Sequence, residues 1–130
     1  MQFHKEREKI LIIDFGSQVT KLIGRNIREL GVYSEIVTIK NFQKLKEFHS
    51  IKGIIFSGGP SSVNSKNFQT VSKKIFKKNI PILGICYGLQ LIGKLFGGKI
   101  KPSRGVREFG RAYLTKKNPS QLTKNFFKRK

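Results

Sequence analysis

The sequence predicts an α/β domain of three layers with a mainly parallel central sheet. Short apolar runs alternate four times with segments of helical periodicity, which is typical of parallel strands joined by right-handed crossover helices. The first of these runs is continuously apolar, as expected for a strand covered on both faces. Ligands bind such sheets beyond the carboxyl ends of the strands, so the loops that follow the strands are the predicted site.

Four strands are predicted from the apolar runs, at residues 9–14, 33–39, 53–57 and 80–85. Two further short strands are predicted at 99–101 and 109–115, and an antiparallel direction remains open for the second. The chain shows no internal repeat and no interdomain linker. We therefore predict one domain.

Helices are predicted at residues 19–30, 41–48 and 68–78, and from just past Cys86 to the Gly97-Gly98 pair. We expect Gly31 to end the first helix and Asn41 to cap the second. The residues expected to face inward from the first helix are Val19, Leu22, Ile23, Ile27 and Leu30, and those from the third are Val71, Ile75 and Phe76.

A cysteine follows the fourth predicted strand, inside the pattern Gly84-Ile85-Cys86-Tyr87-Gly88. This is the spacing of a nucleophile elbow with cysteine in place of serine. An abrupt strand-to-helix turn strains the middle residue, and glycine at both flanking positions avoids a collision. The start of a helix also favours thiolate over thiol. The alternative is a buried structural cysteine.

Composition places the chain among soluble globular domains. It has 130 residues, of which 38% are hydrophobic, and no apolar run approaches the ~20 residues that span a bilayer. Residues 1–8 form a charged arm without the apolar segment of a signal peptide. Because the single cysteine excludes an internal disulfide, we expect a cytoplasmic protein with no membrane partner.

The net charge of +20 is the most unusual bulk property. It fits nucleic-acid binding, or a field that steers an anionic substrate or partner. The lysines are scattered, and no aromatic-basic pattern of an RNA-binding module is present. We therefore do not expect nucleic-acid binding to be the main role.

The predicted site lies where the loops at 15–18, 58–62 and 86–88 meet. A thiolate that attacks a carbonyl needs donors for the developing oxyanion, and the backbone N–H groups of Gly59 and Tyr87 are the candidates. Gly58 lets the main chain approach a substrate closely. The alternative is that the glycine loop is only a turn.

Two more residues complete the predicted substrate site. Gln90, one turn into the elbow helix, is a candidate hydrogen-bond partner for a polar substrate, although it also fits a glutamine on a helix surface. Gly88 is a substrate contact in the same interpretation. No metal site is predicted.

Five segments together resemble the class I glutamine amidotransferases and, among them, the glutaminase domains of GMP synthases. They are Asp14-Phe15-Gly16-Ser17-Gln18, Arg28-Glu29-Leu30-Gly31, Ser57-Gly58-Gly59-Pro60, Gly84 to Gln90, and Arg107-Glu108-Phe109-Gly110. The elbow and the Ser-Gly-Gly-Pro loop are shared by many members, whereas the first and last segments are more particular. The resemblance covers about residues 9 to 127 and implies a flavodoxin-like three-layer fold.

The resemblance implies a reaction and its partners. Cys86 would attack the side-chain amide of L-glutamine and release ammonia from a glutamyl thioester, with Gly59 and Tyr87 forming the oxyanion hole. A separate ATP-pyrophosphatase domain would use ATP and Mg²⁺ to activate xanthosine monophosphate, which the ammonia converts to GMP. The resemblance implies no cofactor in the glutaminase domain itself and a homodimeric full-length enzyme.

One part of the family pattern is missing. The family's catalytic histidine and glutamate lie in a downstream His-x-Glu segment, whereas the histidines of this chain are His4 and His49. Each precedes a predicted strand and therefore lies at the opposite edge of the sheet from Cys86. A five-residue strand separates these two edges by roughly 16 Å. We therefore expect residues 9–130 to be the N-terminal part of an incomplete amidotransferase domain, without the ATP-pyrophosphatase and dimerisation domains. Losing the general base predicts hydrolysis slower by about 10² to 10⁴.

Three other functions remain open at this point. The chain fits an amidotransferase that serves CTP, anthranilate or carbamoyl phosphate synthesis, although residues 14–18 disfavour this. It also fits a non-catalytic module that kept the fold and lost the base. A basic nucleic-acid binder is the third.

Overall fold

The computed structural model describes residues 7–59, 69–101, 118 and 120–124. Its strands are β1 (Lys9–Asp14), β2 (Ser34–Thr38), β3 (Ile51–Phe56) and β4 (Ile82–Gly84). They form one sheet in the order β2-β1-β3-β4, and every neighbouring pair is parallel. The predicted parallel α/β sheet is confirmed, although β4 is shorter than the run that predicted it.

The helices of the described residues are α1 (Thr20–Glu29), α2 (Ile39–Gln43) and α3 (Tyr87–Leu95), together with a 3₁₀ helix at Lys73–Lys78. α1 and α2 lie against β1 and β2, whereas α3 lies against β3 and β4. The sites of α1 and α3 agree with the sequence prediction to within one or two residues. The three α-helices therefore each contact the strand that precedes them.

Side chains on the two faces of β1 pack against different helices. Leu11 and Ile13 point into a cluster that is closed by α2, the 3₁₀ helix and α3. The buried apolar members of this cluster are Leu11, Ile13, Phe15, Val37, Phe42, Ile51, Ile54, Phe56, Val71, Ile75, Tyr87 and Leu91. Ile12 points to the opposite face, where it meets α1. The sheet therefore lies between helices, as the three-layer prediction requires.

The predicted inner stripe of α1 is partly wrong. Val19, Leu22 and Leu30 are exposed by 51%, 52% and 82%, whereas the buried residues of α1 are Thr20 and Gly24. The Ser34 hydroxyl donates to the Gly24 carbonyl at 2.9 Å, which brings the helix backbone close to β2. This close approach rotates the polar and small residues inward, so apolar periodicity alone indicated the wrong face.

The second helix begins earlier than predicted. The Thr38 hydroxyl accepts a hydrogen bond from the Asn41 N–H at 3.1 Å, so the cap is Thr38 and not Asn41. The helix then runs for only five residues and ends before Lys44. The β2 strand therefore passes directly into α2 without a separate loop.

Two other predicted elements differ. Ser72 caps the 3₁₀ helix by accepting from the Lys74 N–H at 3.3 Å, so residues 69–72 are not helical, and residue 68 lies outside the described residues. Residues 99–101 form no strand, because Ile100 instead packs against the core cluster near Gly93. The predicted strand at 109–115 also lies outside the described residues.

The chain divides into two compact units, Met1–Ile100 and Lys101–Lys130. The first contains the sheet and the predicted site. In the second, the described residues 120–124 form turns in which the Ser120 hydroxyl accepts from the Thr123 N–H at 3.1 Å. No helix of the described residues is long and apolar enough to cross a membrane.

Candidate active site

Cys86 lies between β4 and α3, where the chain turns from strand to helix. Its φ of 55° and ψ of −116° lie outside the helix and strand regions, and a positive φ is uncommon for a residue with a side chain. The N–H of Ile85 still donates to the Phe56 carbonyl at 2.9 Å, so β3 holds the chain up to the turn. The cysteine is exposed. The strained elbow is confirmed, and the alternative of a buried structural cysteine is wrong.

Glycine is required on both sides of Cys86. A Cβ at Gly88 would lie 2.0 Å from the Phe56 carbonyl oxygen. A Cβ at Gly84 would lie 2.7 Å from the Leu89 nitrogen and 2.8 Å from the Gly88 carbonyl carbon. All of these neighbours are backbone atoms, which have little freedom to move. The two glycines therefore let the helix start fold tightly over the end of the sheet.

The loop after β3 meets the elbow at Gly58. A Cβ on Gly58 would lie 3.3 Å from the Cys86 Cβ and 3.4 Å from the Ser17 side chain, so the loops after β1, β3 and β4 come together here. Gly59 is equally confined, because its Cβ would lie 2.5 Å from the Phe15 carbonyl oxygen. The predicted meeting point of the three loops is confirmed for the part of each that the structure describes.

The first turn of α3 has one N–H with no backbone acceptor among the described residues. The N–H groups of Gly88, Leu89 and Gln90 donate to the carbonyls just before the helix, at 3.0, 3.0 and 3.2 Å. No backbone carbonyl of the described residues accepts from the Tyr87 N–H. A free N–H at a helix start is the kind of donor that an oxyanion needs. Gln90 lies one turn further along and is half-buried.

The Tyr87 side chain points away from solvent. Its ring lies 5.3 Å from the Phe15 ring, and its hydroxyl donates a hydrogen bond to the Gln69 carbonyl. Burial raises the pKa of Tyr87, and the hydrogen bond to Gln69 opposes part of that rise. The phenol therefore stays protonated, and able to donate, at neutral pH.

A network of buried hydrogen bonds holds the loops after β1 and β3 in place. The Ser57 hydroxyl donates to the Ile13 carbonyl at 2.7 Å and accepts from the Thr20 hydroxyl at 2.9 Å. The Asp14 carboxylate lies 3.3 Å from the same Thr20 hydroxyl and accepts from the Gly16 N–H at 2.7 Å. This network joins the ends of β1 and β3 to the start of α1. Asp14 and Ser57 belong to two of the motif segments, but no sequence pattern indicated that Thr20 joins them.

Removing one hydroxyl of this network should destabilise the fold. Ser57→Ala leaves the buried Thr20 hydroxyl without one of its partners, and we expect a loss of about 1–3 kcal/mol in the free energy of unfolding. Thr20→Val should cost a similar amount. The double variant should cost less than the sum of the two, by about 1 kcal/mol, because the residues contact each other. Urea unfolding of the four proteins measures this, and strict additivity would contradict the hydrogen-bonded pair.

His49 lies far from the elbow. It precedes β3, whereas Gly58 follows it, and the six residues of β3 extend for roughly 20 Å. His49 is exposed, and its Nδ1 lies 3.7 Å from a Glu47 carboxylate oxygen. The predicted separation from Cys86 is confirmed, while His4 lies outside the described residues. Among the described residues, no group of three or more histidine, cysteine or acidic residues is placed to hold a metal ion.

The amino-terminal edge of the sheet carries a basic cleft of about 790 Å³ that contains no predicted site residue. Its charged lining residues are Arg7, Glu8, Lys9, Arg28 and Lys52. Lys9 pairs with Glu35 at 2.7 Å and Lys52 with Glu8 at 3.6 Å, so part of the positive charge is already neutralised. The predicted site residues therefore lie at the opposite edge of the sheet, around Cys86.

Comparison with known families agrees with this geometry. The family model described as "Glutamine amidotransferase class-I" matches residues 11–129. The chain belongs to the class I glutamine amidotransferase family. The resemblance that the sequence motifs indicated is thereby confirmed.

Curated amidotransferase relatives are similar to this chain over most of its length. A glutamine-hydrolysing GMP synthase of Clostridium perfringens is 48% identical over 117 residues, which are 89% of this chain and 23% of that protein. A GMP synthase of Listeria innocua is 46% identical over 126 residues, which are 94% of this chain and 23% of that protein. The chain therefore spans less than a quarter of the length of these relatives.

A solved amidotransferase structure shares the fold. A crystal structure of a Thermoplasma acidophilum protein, assigned as one of the subunits of GMP synthase, superposes with a TM-score of 0.56 at 35% identity. The match covers 72% of this chain and 47% of that one. The α/β amidotransferase fold predicted from the sequence is confirmed.

Proposed function

We propose that this chain is the nucleophile-bearing part of a glutaminase domain that supplies ammonia for GMP synthesis. The observation that carries the proposal is the exposed Cys86 at positive φ, at a helix start and in contact with the Gly58 loop. The curated relatives are GMP synthases, which favours GMP synthesis over CTP, anthranilate or carbamoyl phosphate synthesis as the use of the ammonia. The substrate is L-glutamine.

The proposed chemistry proceeds through a thioester. The Cys86 sulfur adds to the side-chain amide carbon of glutamine, and the oxyanion accepts hydrogen bonds from the N–H groups of Gly59 and Tyr87. The oxyanion then collapses to the thioester as the carbon–nitrogen bond breaks, and the nitrogen takes a proton from water and leaves as ammonia. A second water hydrolyses the thioester to glutamate and returns the thiol. Gly58, Gly88 and Gln90 line the place where the substrate binds.

The remaining steps of the proposed pathway belong to other parts of the enzyme. An ATP-pyrophosphatase domain, in the same or another polypeptide, uses ATP and Mg²⁺ to activate xanthosine monophosphate, which the ammonia aminates to GMP. The glutaminase part itself needs no cofactor. We propose a cytoplasmic enzyme that is a homodimer when complete.

A non-catalytic module is the second candidate function. It is favoured by one observation, namely that the histidine among the described residues lies at the opposite edge of the sheet from Cys86. Thioester chemistry needs a base within about 3 Å of the proton that it moves. The glutaminase and module proposals differ in whether the site recognises glutamine, which makes recognition the property to test.

Labelling of Cys86 by a chloroketone analogue of glutamine tests the proposal. We expect one label per chain, since Cys86 is the only cysteine, and at least about tenfold slower labelling when glutamine is in saturating excess. Mass spectrometry of the intact chain measures both. Iodoacetamide is the reference reagent, because its reaction in the absence of glutamine needs no amino-acid site and reports only the accessibility of the thiol.

Two results would decide against the glutaminase. Labelling that glutamine does not slow would support the non-catalytic module. Modification of a Cys86→Ser variant at the same rate would show that the reagent reacts elsewhere. Protection by glutamine but not by glutamate would further support recognition of the amide.

A further inference from the structure

We propose that the side chain of Tyr87 acts as a positioning residue for Cys86. It does so through a tie, the hydrogen bond between its hydroxyl and the Gln69 backbone. This inference rests on the proposed glutaminase function, and it assigns to the phenol a role distinct from that of the Tyr87 backbone N–H. The tie would hold the chain that leaves β3 against the elbow at two points, with Gly58 beside Cys86 and Gln69 hydrogen-bonded to Tyr87.

The first observation is the hydrogen bond itself. The Tyr87 side chain is only 3% exposed, and its hydroxyl donates to the Gln69 carbonyl, 18 residues earlier in the sequence. A buried hydroxyl is unfavourable unless it is hydrogen-bonded, so the pair is expected to persist. Because Tyr87 directly follows Cys86, a displacement of its ring is transmitted to the nucleophile through a single peptide bond.

The second observation is where the tied backbone comes from. The chain leaves β3 at Phe56, reaches Gly58 against the Cys86 side chain, and is next described at Gln69. Two residues later Val71 is buried in the core at 3% exposure. The phenol therefore joins the elbow to the start of a segment that is already fixed to the core.

The third observation is the contact of the ring. The Tyr87 ring lies 5.3 Å from the Phe15 ring, and the Phe15 carbonyl oxygen lies against Gly59. The Phe15 ring in turn meets Phe56 edge-on at 5.9 Å. One side chain thus contacts the loop after β1 through its ring and the segment after β3 through its hydroxyl. A phenylalanine would retain the packing of the ring and lose only the second contact.

The matched variant is Tyr87→Phe, which removes the hydroxyl and keeps the ring. We expect the rate constant for the glutamine chloroketone to fall about tenfold, as for the loss of one hydrogen bond that orients the reacting groups. We expect the rate constant for iodoacetamide to change by less than about twofold, because that reagent needs only an accessible thiol. The ratio of the two constants is the measured quantity.

Two control variants separate positioning from stability. Tyr33→Phe removes the hydroxyl of a tyrosine at the opposite edge of the sheet and should change neither constant. Ile51→Val removes one methyl group from the buried start of β3 and should lower the melting temperature without changing the ratio. If Ile51→Val lowers the ratio as much as Tyr87→Phe does, the effect is general destabilisation and the proposal fails.

Amide hydrogen exchange gives a second measurement that needs no chemistry at the thiol. Tyr87→Phe should speed exchange at residues 69–71 and 86–88 and leave β1 and β2 unchanged. Unchanged exchange at both segments would overturn the proposed tie. If the unmodified chain shows no glutamine-dependent labelling, the proposed glutaminase function fails, whereas a normal wild-type ratio with no effect of Tyr87→Phe overturns the positioning role alone.

Discussion

Gly88→Ala should be among the most damaging single-methyl substitutions in the chain. The added Cβ would lie 2.0 Å from the Phe56 carbonyl oxygen, 2.5 Å from its carbonyl carbon and 2.6 Å from its Cβ. Relief of this overlap requires a shift of about 1 Å between the start of α3 and the end of β3, because ordinary carbon–oxygen contacts exceed about 3 Å. We expect the free energy of unfolding to fall by about 3 kcal/mol or more.

The same displacement should disable the elbow. Cys86 lies two residues before Gly88, and a misplacement of about 1 Å at a reacting group costs on the order of 10² in rate. Glutamine-protectable labelling by the chloroketone should therefore fall about a hundredfold, even at temperatures where the variant remains folded. Circular dichroism and mass spectrometry measure the two effects on the same sample.

Gly93→Ala is the matched control on the same helix. Its Cβ would come no closer than 3.4 Å to another atom, the Ile100 Cδ1, so the methyl group has room. Alanine is favoured over glycine inside a helix by about 1 kcal/mol, and we expect Gly93→Ala to be neutral or stabilising. Equal destabilisation by both substitutions would show that the tight contact of α3 with β3 is not the cause.

Phe56→Ala should lower the free energy of unfolding by about as much as Gly88→Ala. The cause is the opposite one, because it leaves a cavity instead of creating an overlap. Phe56 is fully buried and contacts the Phe15 ring at 5.9 Å and the Phe76 ring at 6.3 Å. Truncation of a buried phenylalanine typically costs about 3–5 kcal/mol. Domains of this size are stable by only about 5–15 kcal/mol, so the variant should be close to unfolding. Urea unfolding followed by circular dichroism measures the difference.

Phe96→Ala provides the comparison for that experiment. Phe96 also contacts Phe76, at 4.6 Å between ring centroids, but it is 59% exposed. Its removal should cost about 1 kcal/mol or less, because water already covers much of the ring. If Phe96→Ala proved as costly as Phe56→Ala, the core would be centred on the end of α3 instead of beneath the elbow.

The parts of the fold predicted correctly share a local signal. The continuous run at Lys9–Asp14 matches β1, and the Gly-x-Cys-x-Gly spacing correctly indicated the strained turn at Cys86. Both depend on interactions within a few residues, so a sequence pattern carries them. Together with four other motif segments, this spacing indicated the amidotransferase family.

The parts predicted wrongly depend on contacts between distant residues. The apolar pattern of α1 favoured Leu22 and Leu30 as core positions, but Gly24 makes the close contact with β2 and turns another face inward. The pairing of Thr20 with Ser57 spans 37 positions and has no periodic signal. The hydrogen bond from Tyr87 to Gln69 is equally invisible in the sequence.

The sequence by itself therefore determined the parallel α/β class, the strained turn at Cys86 and the family, because strand periodicity and glycine spacing are local consequences of backbone sterics. Only the tertiary structure decided which face of α1 is buried, which hydroxyls support the Gly58 loop and what the Tyr87 phenol contacts. Those choices are made by packing between segments far apart in the chain, where a small residue or a single hydrogen bond outweighs the average preference of a helix or strand.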